Sequence, residues 1–327
     1  RKMADSRFMM NVKGIAKSFI PRKIYQNQLQ NILKEILKLK NIDNIINRLN
    51  YYNLQNDFFD IKNFQNYEKI GKFPFKKTSY AYDAYAISKY FNDDFLWIKG
   101  FGDISYNLKY PSIAKSRPVK NGFNNIILKL DKNRHFDFIQ DKNQFEDKKD
   151  LLFFRGAIYQ PHRIKFFEKY FDNSRCDIAH VGGRKIQAEK WIKNLNFKIS
   201  RAYQTQFKFL LSLEGNDVAS NLKWAMKTNS LVLAPKMRYE TWFMEGKLVP
   251  NEHFALIDDA YENVEALLDY YLANPHRAKE IIQNAHVYIE QFLDEKIEFY
   301  IGILVLAKYF YYSNQLDLSK DIVDLFD

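Results

Sequence analysis

"LEGNDVASNLKWAMKTNSLVLAPKMRYETWFMEG" spans Leu213 to Gly246. It reads as the end of an apolar strand, a tight turn, a helix, a second strand and an aromatic, acidic segment. The chain has 11 glycines in 327 residues, so Gly215 at that turn marks a backbone requirement. Glycine there permits a positive φ or a close approach to a ligand. Asp217 is the expected N-cap of the following helix, accepting from its first amides. Unpaired amides and the helix dipole together make an anion site.

Outward from this turn the pattern is regular. "LLFFRGA", "CDIAHVGG", "FKFLLSLEG", "SLVLA" and "HFALI" are apolar runs of strand length. Between them lie helix-like stretches, "QPHRIKFFEKYF" opened by Pro161, "KIQAEKWIKNL" and "DVASNLKWAMKT". Strands alternating with helices of this length predict an α/β fold with right-handed crossovers and a parallel sheet. Helices are expected at Glu262–Leu272 and throughout 274–312. The charged run "DKNQFEDKKD", Asp141–Asp150, is expected to mark a domain junction. The expected domains are therefore 10–145, 150–293, and C-terminal helices at 294–327 of open membership.

Toward the N-terminus, apolar residues from Ile24 to Asn50 recur at helical spacing. "YAYDAYAISKYF" predicts another helix, and "FLWIKG" and "NNIILKL" predict strands. Between Val12 and Lys40 stand seven Lys or Arg and one acid, Glu35. That basic side is either a solvated helix face or a peripheral membrane face. "MNVKGIAK" from Met10 reads as a natural start, with residues 1–9 outside the fold.

Fifty Lys plus Arg against 39 Asp plus Glu leave a net charge of +11, which favours anionic partners: nucleotides, phosphorylated sugars, acidic lipid or nucleic acid. Cys176 is the sole cysteine, excluding an intrachain disulfide and pointing to a reducing compartment. The longest apolar stretch, "YIGILVLA", is too short to span a bilayer.

In open α/β sheets ligands sit at the carboxyl ends of strands. Three corners fit: Arg155 and Gly156 with Arg163; Gly182, Gly183 and Arg184; and Gly215–Asp217 leading to Asn221 and Lys223. Arginine contributes bidentate contacts to phosphate, so a diphosphate ligand suits the set. Any single such corner is equally an ordinary α/β turn. GxGxxG and GxxxxGK[ST] are missing, which argues against dinucleotide oxidoreductases and P-loop NTPases. HExxH, CxxC, GxSxG and Asp-x-Asp are missing too, so no bound metal is expected. Arg134 and His135 follow the "IILKL" strand; His135 is either a ligand contact or a hydrogen-bonded structural residue.

The ordered set "GDISYNLKYPSIAKSRP", "LDKNRHF", "FFRGAIYQPHR" and "FKFLLSLEGNDVASNLKWAMKTNSLVLAPKMRYETWFMEGKLVPNEHFALI" resembles glycosyltransferase family 90, in particular its bacterial lipopolysaccharide branch. The resemblance covers roughly residues 80 to 272. It implies a GT-B-like architecture: two Rossmann-like domains facing a cleft, with additional N- and C-terminal helices and the donor held mainly by the C-terminal domain. It further implies inverting, metal-independent transfer of a hexose from a UDP-sugar, without a cofactor, to a lipopolysaccharide core or related glycan. The expected location is the cytoplasmic face of the inner membrane, with peripheral contact there and no nucleic-acid partner.

An inverting transfer needs a base to deprotonate the acceptor hydroxyl and fixed positive charge for the leaving diphosphate. By position Asp103 in "GFGD" matches the family's catalytic aspartate. The donor-binding set expected is Arg155, Gly156, Arg163, Gly215, Asn216, Asp217, Asn221, Lys223 and Glu240. Asn221 stands where the eukaryotic branch has arginine, leaving phosphate charge to Arg155, Arg163 and Lys223. Glu240 either binds donor hydroxyls or pairs with a neighbour such as Arg238. Lys115 and Arg117 are expected to orient a phosphate-bearing or acidic acceptor, and Arg134 and His135 are expected on the acceptor side or elsewhere in the cleft. Two other readings are a nucleic-acid-binding protein, on the basis of the +11 charge, and a noncatalytic scaffold on the same fold.

Overall fold

Strand-length runs of Leu, Phe, Ile and Val need both faces covered, and the C-terminal half of the chain folds so as to provide that. The computed structural model describes residues 21–40, 42–72, 78–182, 189–192 and 199–327. Expectations placed on residues 1–20, on Gly183 and Arg184, and on most of the helix expected over 185–195 lie outside the described residues, of which 189–191 form a 3₁₀ turn.

The chain divides into two units. The second comprises 135–238 and 245–291. Its sheet has the strands Cys176–His180, Lys149–Gly156, Phe207–Leu211, Leu231–Ala234 and Ala255–Leu256 in that spatial order, every pair parallel. Leu152, Phe154, Ile178, Phe209, Leu211 and Leu233 are buried, with Phe166, Phe167 and Tyr170 of the Pro161–Tyr170 helix packed into the same core. The α/β reading and all five strands hold. In chain order the strands run 2-1-3-4-5, so the connections reverse direction between Lys149–Gly156 and Phe207–Leu211. At such a reversal the loops leaving neighbouring carboxyl ends diverge and open a crevice.

The charged run 141–150 lies inside this unit. Lys148 and Asp141 form a buried ion pair at 2.6 Å. Lys148 also donates to the Thr205 carbonyl and Ser230 Oγ, and Asp141 accepts the Asn229 amide at 2.8 Å. Those charges satisfy one another in the interior, and the unit boundary falls earlier, between Arg134 and His135.

The first unit comprises 1–134, 239–244 and 292–327. Its axis is the helix Glu295–Tyr312, buried almost all round from Tyr300 to Phe310. Asp294 starts it by accepting the amides of Lys296 and Ile297 at 2.9 and 3.1 Å. That cap ends the continuous helix expected over 274–312, which is instead Pro275–Glu290 followed by Glu295–Tyr312. The N-terminal periodic stretch likewise breaks into Arg22–Gln26, Leu29–Ile36 and Ile42–Tyr52. Bonds of the i→i+3 type at Lys38 and Leu39 close the second of these. Three short parallel strands, Lys99–Gly100, Ser112–Ala114 and Asn125–Ile127, lie side by side. Ser116–Pro118 pairs antiparallel with Tyr239–Thr241.

Candidate functional site

In the second unit the strand reversal brings together the loops 157–163 and 212–221. Arg163 stands early in its helix and is buried. Its Nε donates to the Glu214 carbonyl at 2.8 Å, and its two terminal nitrogens donate to the carbonyls of Leu213 and Ala157 at 2.6 and 2.7 Å. His162 Nε2 donates to the Glu214 carbonyl at 2.6 Å. Burial lowers the His162 pKa, opposed by that hydrogen bond, so the ring is a neutral donor near pH 7. The Glu214 carboxylate accepts both the amide and Nε of Arg238, at 2.8 and 2.7 Å. Gln160 Nε2 reaches Asn216 Oδ1 at 2.9 Å, tying the two loops across the crevice.

The turn at Gly215 is thus held from beneath through its carbonyls. Gly215 does not use the left-handed region. A side chain there would instead lie 3.5 Å from the Arg163 guanidinium. Asp217 is not the N-cap. The helix starts at Leu222 with Asn221 before it, and no side chain caps it. Asn221 is drawn back to the strand end, donating to the Leu211 carbonyl at 2.9 Å and accepting from Ser212 Oγ at 3.2 Å.

The three cations expected to meet phosphate are engaged within the fold. Lys223 pairs with Glu245 at 2.5 Å, both side chains fully buried. Arg155 turns sideways to Asp177, 2.8 Å to Oδ1 and 2.7 Å to the carbonyl, over the Phe153 ring. Arg163 is spent on the carbonyls just described. A side chain at Gly156 would meet the Phe154 ring at 2.5 Å, which accounts for that glycine. Gly215, Asn216, Asn221 and Arg163 therefore gather at one turn, whereas Arg155 and Lys223 are oriented to other partners.

In the first unit the carboxyl ends of the three parallel strands also converge. Gly102 follows the first strand at φ +129°, a conformation glycine favours, and presents Asp103. Lys115 follows the second strand; Asp131 and Arg134 follow the third. Asp103 Oδ1 accepts from Lys115 Nζ at 2.5 Å and stands 3.7 Å from Arg134. The Lys115 side chain is 1% exposed and that of Asp103 25%, so solvent reaches the carboxylate and not the ammonium. Tyr80 lies behind Lys115 and stacks on Phe101. Burial raises the phenol pKa, while the charge of Lys115 opposes that shift.

Arg117 and Glu240 face each other across the antiparallel strand pair, bonded at 2.7 Å and both buried. Arg117 also donates to the Tyr51 carbonyl, and the Tyr51 hydroxyl donates to the other Glu240 oxygen. Glu240 thus has Arg117 and Tyr51 as partners. His135 is buried at 2% exposure, and Arg134 is 49% exposed.

Sequence reasoning passed over Tyr80, Asp83 and Asp131. The signal for Asp83 was one acid inside the apolar helix "YAYDAYAIS". It accepts the Lys132 amide at 3.0 Å and so fixes the turn that carries Arg134. Burial pushes the Asp83 carboxyl up to about 6 against the opposing charge of Lys132, while the ordinary value is 3.8. A raised folded value means that ionisation is penalised in the fold. The group's stabilising contribution is full below the unfolded value and is lost as pH rises through about 6. The swing is about 3 kcal/mol. Asp83→Asn removes it, so unfolding free energies of variant and parent should shift relative to each other by about that amount, in the variant's favour, between roughly pH 4 and 7. Urea titrations at both pH values measure this; a pH-independent difference contradicts the assignment.

Among the described residues no three His, Cys, Asp or Glu side chains converge as a metal site, and no helix is long and apolar enough to cross a membrane. A parallel sheet with a pinned turn at its reversal, in a chain with these ordered segments, belongs to a defined class. The chain is a member of glycosyl transferase family 90, whose sequence model matches residues 128–316. It is a glycosyltransferase by that membership. Among its relatives is the O-glucosyltransferase LpsA of Dichelobacter nodosus, 39% identical over 244 residues, covering 74% of this chain and 76% of that protein.

Proposed function

We propose that the protein is an inverting, metal-independent hexosyltransferase of GT-B type. It moves glucose from UDP-glucose to a lipopolysaccharide core or related bacterial surface glycan at the cytoplasmic face of the inner membrane. The observation that carries this reading is the turn Leu213–Asp217. It lies at the strand reversal of a parallel sheet, inside the family-matched segment, with its carbonyls drawn inward by Arg163 and His162. The crevice that opens at this reversal, beside a turn so fixed, is where a diphosphate would sit. The glucose assignment draws on the name of the Dichelobacter relative.

In this mechanism Asp103 takes the proton of the acceptor hydroxyl as that oxygen attacks the anomeric carbon. The bond from the anomeric carbon to the diphosphate oxygen breaks, the configuration inverts, and UDP leaves with the electron pair. Lys115 fixes the rotamer of Asp103 from the buried side, leaving its solvent-facing edge for the acceptor.

A thermal-shift panel of UDP-glucose, UDP-galactose and UDP-N-acetylglucosamine in EDTA tests the donor. A ligand at about 100 times its dissociation constant stabilises the native state by about 2.7 kcal/mol. UDP-glucose should therefore raise the melting temperature by a few degrees without added metal. No shift with any of the three sugars refutes the donor, and a shift that appears only with Mn²⁺ or Mg²⁺ refutes metal independence.

A further inference from the structure

The cations of the first unit's strand-end cluster are not equivalent. Lys115 is sealed against Asp103, and Arg117 is spent on Glu240 and Tyr51. Arg134 differs. Its nearest carboxylate oxygens, on Asp103 and Asp131, stand at 3.7 and 3.9 Å, beyond hydrogen-bond reach, and its side chain is 49% exposed. The turn beneath it is fixed from three sides. Asp131, at φ +55°, accepts Ser79 Oγ at 2.7 Å; Asp83 accepts the Lys132 amide at 3.0 Å; and His135 is buried. A guanidinium is thus held on a rigid support beside the one carboxylate of the cluster proposed to do chemistry. Its planar fork is not consumed among the described residues, so little ordering is left to perform on binding.

We infer that Arg134 anchors an anionic group, phosphate or carboxylate, carried by the acceptor next to the hydroxyl that Asp103 deprotonates. The inference rests on the proposed transfer and deepens it by naming the acceptor's charge. A planar oxyanion pairs with the fork in two parallel hydrogen bonds, which sets the orientation of the acceptor as well as its affinity. Pairing also draws Arg134 from Asp103, so that an anionic acceptor exposes the base it needs. Lys132, 38% exposed on the same turn, adds a second positive charge at longer range.

Calorimetric titration of the full chain in the presence of UDP tests this with three probes: methyl glucoside, methyl glucoside 6-phosphate and methyl glucuronide. At least one anionic probe should bind about ten- to a hundredfold more tightly than the neutral one. Arg134→Gln should reduce that advantage to about twofold or less, and Arg134→Lys should keep part of it. The phosphate and carboxylate arms separate the two chemistries. Equal affinities for all three probes overturn the inference, as does an advantage that survives in Arg134→Gln. So does a variant whose loss is in UDP affinity, because the guanidinium would then serve the donor. The UDP-glucose thermal shift, run on the same samples, keeps the two readings apart. A shift without anionic preference sinks the anchor alone, whereas no shift sinks the donor reading.

Discussion

Asp103→Asn should lower turnover by about 10²–10⁴ while the dissociation constant for UDP-glucose changes by less than about twofold. Asparagine keeps the shape of the side chain and an oxygen for Lys115 to bond, but it cannot accept the acceptor's proton. The loss should therefore fall on the chemical step, and single-turnover transfer rates isolate it from donor binding. Asp103→Asn also leaves a buried ammonium facing a neutral amide, which weakens the first unit. The rates are accordingly measured well below the variant's melting temperature, with circular dichroism confirming the fold. Asp103→Glu supplies the complementary arm: it restores a carboxylate about one methylene out of place, so it should recover a fraction of the rate. Near-normal turnover in the asparagine variant removes Asp103 from the mechanism.

The parts of the fold that were legible in sequence are those where one local pattern decides the outcome. Each strand of the five-stranded sheet is an apolar run because both its faces are covered, and the run survives in any tertiary context. The turn at Gly215–Asp217 was legible as the end of an apolar strand, but the left-handed Gly215 and the Asp217 N-cap expected there are not found. What the pattern does not carry is the identity of a charge's partner. Lys223 meets Glu245 22 positions away, Arg117 meets Glu240 123 positions away, and both pairs are buried. From sequence Lys223 looks like a donor-phosphate ligand and Arg117 like an acceptor contact; the distant acid that each one pairs with is visible only in the fold.

Helix ends were misplaced by similarly specific competition. Asp217 should cap a helix by local preference, yet the helix after the turn is only Leu222–Met226, and Asn221 just before it spends its side-chain amide on the Leu211 carbonyl. Asp103 is the converse case. A Gly-Asp pair after a short strand has low local information, and its positive-φ glycine, its buried lysine and its neighbouring Arg134 are visible only once three strands align. The stretch 239–244 was read as part of the donor side. In the structure it belongs to the first unit, because Glu240 and Trp242 both find buried partners there.

Glu298→Ala should cost about 3–5 kcal/mol, the largest stability loss expected from a single truncation in the first unit. Glu298 lies in the central helix with its side chain 5% exposed and serves three donors. Arg48 and Lys129 reach its oxygens at 2.6 Å, and Trp242 Nε1 donates at 2.6 Å. The surrounding groups are themselves interlocked. Arg48 donates to the Tyr52 hydroxyl at 3.0 Å, that hydroxyl donates to the Trp242 carbonyl at 2.6 Å, and the Tyr52 and Trp242 rings stack at 3.9 Å. Removing the carboxylate strands two positive charges where water barely reaches, a penalty that a lost surface pair would not bring. Burial already pushes the Lys129 pKa down, with Glu298 the opposing influence, so the variant's lysine should shed its proton and limit part of the damage. The Arg48→Met, Glu298→Leu double variant should be less destabilised than Glu298→Ala alone, since an apolar pair of similar volume needs no counter-charge. Urea unfolding midpoints decide the matter: a Glu298→Ala loss below about 1 kcal/mol, or a double variant at least as destabilised as Glu298→Ala, means that this network is solvated in solution and does not hold the first unit together.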